Sequence, residues 1–169
     1  MPEATMEILD ELASMPDALE SLFARVPAEA RGWEPESWDG FPGETFSALG
    51  QVCHVRDIEI DGYRVRIARL LEEEEPRLVS IDSYALARER RYAEQDPVAA
   101  LSAFRRARAQ TIETLRGVRA ADWSRHGQFE GYGPVTLAGL VHFRASHDRQ
   151  HLACLHWLLG KITSFAAAR

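Results

Sequence analysis

The chain has 169 residues, 26 acidic against 20 basic side chains, a net charge of −6 and two cysteines. That length predicts one domain over residues 1–169, with a core large enough to fold without disulfides. No stretch approaches the roughly eighteen apolar residues of a membrane span, no secretory leader is recognisable, and the basic residues form no stripe, so neither a membrane nor a nucleic acid is an expected partner.

Residues 7–23 keep a helical apolar period through Ile8, Leu9, Leu12, Met15, Leu19, Leu22 and Phe23, interrupted by Pro16. Two short helices or one kinked helix satisfy that pattern. Residues 26–44, rich in Pro, Gly and Glu, form a long loop whose Trp33, Trp38 and Phe41 are expected to cover one end of a helical core. A second long helix spans residues 45 to about 74, its apolar face made by Leu49, Val52, Cys53, Ile60, Tyr63, Ile67, Leu70 and Leu71. His54, Asp57 and Asp61 follow one another along one side of that face. The acidic run 72–75 ends it at Pro76, and a short helix opened by Asp82 or Ser83 lies before residue 95.

Asp96-Pro97 pairs an N-cap with proline at a first helical position, and a third long helix runs from 98 to about 118 through Leu101, Phe104, Ile112, Leu115 and Val118. Arg108 falls on that apolar stripe. It needs a carboxylate from Asp57, Asp61 or a bound substrate, unless it snorkels to water. A loop with Trp123, His126, Gly127, Gly131 and Gly133 follows, and Thr136 caps the last helix. No repeat and no long β-type alternation is present. Four long amphipathic segments with long loops and one short extra helix predict an all-α four-helix bundle.

On the last helix His147 and His151 stand four residues apart, within the apolar period of Leu140, Val141, Leu155 and Leu158. Two imidazoles therefore face a core, where unpartnered polar rings are costly. Hydrogen bonds inside the bundle satisfy them, or a divalent metal does. Bundles build metal sites from inward side chains on facing helices, and His54 is the only histidine on the first three, so it is the natural third ligand. Cys154 is the competing donor. It and Cys53 otherwise read as free thiols of a reducing, cytoplasmic compartment.

The segments Gln51-Val-Cys-His54-Val-Arg-Asp57-Ile-Glu59, Asp96-Pro97 with Phe104-Arg-Arg-Ala-Arg108, Trp123-Ser-Arg-His-Gly127, Gly133-Pro-Val-Thr136-Leu and His147-Asp-Arg-Gln-His151-Leu, in that order, resemble the DinB-like superfamily of metalloenzymes. The resemblance implies a four-helix bundle of unusual helix order. It also implies a metal held by His54, His147 and His151, and thiol-dependent transferases and isomerases among the relatives. The extra C-terminal domain of the mycothiol-dependent isomerases is missing from this sequence.

An open three-imidazole site leaves the charge of zinc or nickel on its free positions, where a thiol ionises and water approaches a pKa of roughly 7. The expected function is transfer of a low-molecular-weight thiol cosubstrate to a small electrophile, with Arg108 holding a carboxylate of either molecule. A metal-dependent hydrolase with Asp57 or Asp61 as base, and a non-catalytic metal-binding stress protein, are the alternatives. The small molecule would enter between the loops around residues 33–41 and 123–132. A homodimer seam is expected from Tyr63, Tyr84 and Tyr92.

Overall fold

The structure, a computed structural model, describes residues 3–167, with side chains from 7 to 164. Its helices are α1 (Glu3–Ala24), α2 (Ala48–Asp57), α3 (Arg64–Glu72), the short α4 (Ser83–Glu89), α5 (Pro97–Arg116) and α6 (Leu137–Ala167). A π-helical turn, Ile58–Tyr63, joins α2 and α3 into one run, so α1, α2–α3, α5 and α6 are the four long members of the bundle. Among the described residues no helix is long and apolar enough to cross a membrane.

Of the two options at Pro16, the chain takes a single helix. Proline gives no N–H to the carbonyl of Leu12, four residues back. That carbonyl accepts instead from Arg108 Nη1 at 2.8 Å, so the gap in the ladder is filled from another helix. The second run begins later than residue 45, where Ser47 Oγ accepts the Gly50 N–H. Its π turn shifts the buried face. Ile58 and Glu59 turn inward, Ile60 is half-buried, and Asp61 pairs with Arg90 at 2.8 Å on the partly exposed side. Asp82 caps α4, Asp96 caps α5 through the Val98 and Ala99 N–H groups, and Thr136 Oγ1 accepts from Gly139 at 3.0 Å.

Around the bundle α1 packs on α5 and α6, and α2 packs on the same two. The first and second long helices, and likewise the third and fourth, therefore stand on diagonals, which is why residues 25–47 and 117–136 are long. The first connection lays Trp38 and Phe41 on Trp157 of α6, with ring centroids 5.2 and 5.7 Å apart, the end cover expected of that loop. Tyr63 and Tyr92, expected at a surface seam, are buried at 5% and 4% exposure, leaving only Tyr84 of the three half-open to solvent.

A small sheet lies outside the helical reading. β1 (Arg77–Leu78) runs parallel to β2 (His126–Phe129), which pairs antiparallel with β3 (Gly133–Thr136). Strands this short leave no alternation to read. Gly127 lets β2 approach the chain before β1: a Cβ there would meet Pro76 O at 2.5 Å, while Gln128 N–H donates to that same oxygen. Backbone cannot rotate aside as a side chain can. Gly127→Ala is expected to cost about 2 kcal/mol and to lower the melting temperature by about 4–8 °C, checked by calorimetry.

The apolar interior is in two parts. One gathers Leu9, Leu12, Leu70, Leu115, Leu137 and Leu140; the other gathers Leu19, Val52, Phe104, Leu155 and Leu158. Between them lies a polar layer made by Gln51, His54, Glu59, Arg108, Thr111, Arg144, Asp148 and His151, all buried.

Candidate functional site

The site is assembled at the outer side of that layer, where α2 meets α6. One turn of helix separates His147 from His151, and His54 faces them from α2. His147 Nε2 lies 3.2 Å from His54 Nε2 and 3.1 Å from His151 Nε2. A fourth donor comes from the loop before α2. Glu44 Oε2 stands 2.9, 3.8 and 3.6 Å from the Nε2 atoms of His54, His147 and His151. All four donor atoms fall within 4.8 Å of one another.

These gaps test whether a cation suits the cluster. Two imidazole nitrogens near 3.1 Å present lone pairs to each other unless a proton or a cation lies between them. Zinc–nitrogen bonds of about 2.0–2.1 Å in a tetrahedron give ligand separations of about 3.3 Å. The donor set and spacing therefore fit one small divalent ion.

The surrounding bonds treat the rings differently. His151 Nδ1 donates to Gln51 Oε1, which turns the Nε2 lone pair toward the cluster. Gln51 is itself fixed, since its Nε2 donates to the carbonyls of Glu44 and Phe46 at 3.2 Å and to Cys154 Sγ at 3.0 Å. His54 is stacked on Phe46, and its Nδ1 is sealed without a partner. His147 Nδ1 lies 2.9 Å from Arg144 Nη1, a group that only donates. That bond places the neutral ring's proton on Nε2, so His147 must shed it before it ligates a cation.

Burial, the neighbouring His151, and then Arg144, His54 and Arg108 hold His147 well below the ordinary histidine pKa; burial, His54 and Arg144 do the same to His151. Burial raises the Glu44 pKa, but the hydrogen bond and charge of His54, with the Ser83 hydroxyl on Oε1, outweigh it and hold the carboxyl below its usual range. The sign for stability follows. In the unfolded chain both rings protonate as pH falls through about 6.5, whereas the folded chain resists. Metal-free protein should hold a constant contribution from these rings above that pH. Below it each ring should cost up to about 1.4 kcal/mol per pH unit, visible as falling urea midpoints between pH 6.5 and 5. Equal midpoints across that window would refute the assignment.

Asp57, a candidate base, does not reach the cluster. Its carboxylate accepts from Arg56 Nε at 2.7 Å, Arg90 Nη1 at 2.9 Å and the Tyr92 hydroxyl at 2.8 Å. Those partners lie on the side of α2 that faces α4 and the following 3₁₀ turn. Arg108 finds its carboxylates in neither Asp57 nor Asp61 nor open space. All five of its N–H groups are used, on Glu59, Asp148 and the Leu12 carbonyl. Burial opposes that charge, but Glu59 and Asp148 raise its pKa. Burial likewise opposes Glu59, yet Arg108 and Arg144 hold it down at about 2. Cys154 stays a buried thiol, its pKa pushed up to about 12 by burial, and it contacts Gln51 rather than the histidines. His126, His142 and His156 are exposed.

A cavity of about 280 Å³ opens onto the cluster, with Glu44, His54 and His147 at one end and Tyr63, Arg66, Ile81, Phe129 and Tyr132 among its walls. Larger grooves beside α3 and between α1 and α5 touch no histidine. Residues 33–41 are not in its lining, Trp38 and Phe41 lying instead on Trp157; the first loop contributes through Gly43 and Glu44, and the second through Phe129 and Tyr132. Glu44 escaped the sequence reading because nothing in its spacing separates it from Glu34 or Glu36 of the same loop.

A sequence profile of the DinB superfamily matches residues 11–155 of the chain. Among solved structures, YfiT from Bacillus subtilis, described as a probable metal-dependent hydrolase with an unusual four-helix bundle topology, matches with a TM-score of 0.82. It is 17% identical, and the match covers 96% of this chain and 90% of that one. At such identity the likeness is one of fold. A search of curated proteins finds no match.

Proposed function

Because this chain belongs to the DinB superfamily, we propose that His54, His147 and His151 hold one divalent transition ion with Glu44 beside it and a position left open, and that the protein adds a low-molecular-weight thiol to a small electrophile. The observation that supports this best is the convergence of three imidazole nitrogens and one carboxylate oxygen at the inner end of a cavity of small-molecule size. Nitrogen and oxygen donors in that number suit zinc or nickel. When bound, such an ion makes a thiol or water beside it far more acidic.

The chain's own groups then have definite tasks. Glu44 Oε2 faces all three rings and is the carboxylate placed to take the proton a nucleophile releases. Its other oxygen is held by Ser83, and the backbone and hydroxyl of Thr45 are tied to Tyr84 at 3.0 and 3.1 Å, so α4 fixes the loop that presents it. Gln51 orients His151. Tyr63 and Phe129 wall the cavity with rings and limit water around the reacting atoms.

Hydrolysis is the second reading, since Glu44 is equally placed to take a proton from water and YfiT is described as a hydrolase. The deciding experiment mixes metal-loaded protein with bacillithiol, mycothiol, glutathione or coenzyme A and monochlorobimane, against a metal-stripped control, beside a panel of esters and amides without thiol. Thiol conjugation lost in Glu44→Gln supports the transferase. Thiol-independent hydrolysis selects the second reading, and silence on both panels with a full metal site leaves a non-catalytic metal protein.

A further inference from the structure

Three arginines are buried to 5% exposure or less, and they differ in one respect. Arg108 and Arg144 share Glu59 and Asp148. Arg66, on α3, has no carboxylate partner among the described residues. Its Nε and Nη2 donate to a single acceptor, the carbonyl of Val79, at 3.2 and 2.9 Å. Nη1 makes no hydrogen bond to a described residue and is not among the sealed groups, and the side chain lines the cavity that leads to the histidines.

The guanidinium is also held in place. It lies over Phe129 at 4.6 Å and over Tyr63 at 5.4 Å, measured from Cζ to the ring centroids. Gly62 makes room for it: a Cβ there would stand 3.0 Å from Nη1. Tyr63 lies between the two ends of the cavity, its ring 5.9 Å from that of His147. A buried, oriented fork without an anion is costly to the empty protein and favourable to a ligand that supplies one. Burial lowers the Arg66 pKa, as does nearby Arg144, partly countered by Tyr63 and Tyr132. Glu44, the carboxylate in the same wall, is engaged by His54 and Ser83.

We propose that Arg66 is the anion-binding residue of this cavity, and that the small molecule taken to the histidine cluster carries a carboxylate received end-on by Arg66. The role assigned from the sequence to Arg108 thus passes to a residue on another helix. A volume near 280 Å³ limits the occupant to a compact acid, its carboxylate at Arg66 and its reacting atom toward Glu44 and His147. The location of that reacting end rests on the reading of the cluster as a metal site; the carboxylate site does not.

Metal-free ¹⁵N-labelled protein titrated with propionate and with neutral propionamide separates the two. The amide signals of Gly62, Ser80 and Phe129 should shift saturably with propionate and at least tenfold more weakly with propionamide. Arg66→Met should remove the preference. Gly62→Ala, which keeps the charge but crowds Nη1, should weaken propionate at least threefold, and melting curves of both variants show whether the fold is retained. No saturable response to propionate in the parent, or a preference surviving in a folded Arg66→Met, overturns the proposal. A second arm uses cobalt-loaded protein, following the sulfur-to-cobalt charge-transfer band with mercaptoalkanoates of one to four methylenes against 2-mercaptoethanol. At least one acid should bind tenfold more tightly than the alcohol in the parent and not in Arg66→Met. If the protein takes up no cobalt, the metal reading fails and the propionate titration still decides. If cobalt binds and every thiol binds alike, the Arg66 proposal fails and the metal reading stands.

Discussion

Replacing His54 or His151 by alanine is expected to lower zinc affinity by roughly 10³-fold or more, above the 10–100-fold typical of losing an outer partner. His147→Ala is expected to cost clearly less. The order comes from the hydrogen bonds. His151 donates Nδ1–H to Gln51 and so offers its Nε2 lone pair to the cluster without rearrangement. His54 is fully buried, and the proton on its Nε2 is already directed at Glu44 Oε2, 2.9 Å away, which can take it up when the ring ligates. His147 faces Arg144 Nη1 through Nδ1 and keeps its proton on the atom that must bind, so part of its donor strength is spent on losing that proton. Competition against a chromogenic chelator, on untagged protein never exposed to a nickel column, measures all three. Alanine variants that bind zinc as the parent does would remove the site, and His147→Ala as the weakest binder would reverse the assigned tautomer.

Arg108→Met should lower stability by about 3–5 kcal/mol, which for a chain of this size is a melting-temperature loss of about 6–20 °C. The side chain is 1% exposed and every one of its donors is used. Removing it leaves Glu59 and Asp148 with Arg144 as their remaining cation. It also orphans the Leu12 carbonyl, which Pro16 has already deprived of its helical partner. Arg105→Met, on the same helix but in exposed pairs with Asp17 and Glu20, is the control, expected to fall within about 1 kcal/mol. Thermal melts of the two variants at neutral pH suffice, and similar losses in both would refute a buried network of this strength.

The bundle was legible because apolar residues at helical spacing and the caps at Asp96 and Thr136 are local signals. His54, His147 and His151 were legible as a set for a related reason: few histidines fall on inward faces. Asp57 misled because a straight α-helical period puts it in line with His54. The π turn that starts at Ile58 ends that line and carries Glu59, to which the sequence assigned no role, into the centre. Arg108 showed its need for a carboxylate but not which one, since Asp148 hides inside the His147–His151 motif as a polar residue among several. Glu44 and Arg66 were not legible at all. Each acquires its meaning from residues far along the chain, Glu44 from Ser83 and the α6 histidines, Arg66 from the carbonyl of Val79 and the ring of Phe129.

The diagonal placement of α1 against α2 and of α5 against α6 also bears on the order of folding events. Neither of these two pairs zips together as a hairpin, although α2 and α5 do pack directly. The contacts that define the cluster join residues about a hundred positions apart, 93 between His54 and His147 and 100 between Gln51 and His151. Closing such loops is expected to be slow and to be completed late, as α6 docks between α1 and α2. A cation that needs both sides of the cluster has no complete binding place in the transition state that precedes docking. It therefore leaves the rate of folding nearly unaltered and acts on the reverse step, holding the docked chain closed and lengthening its lifetime before unfolding.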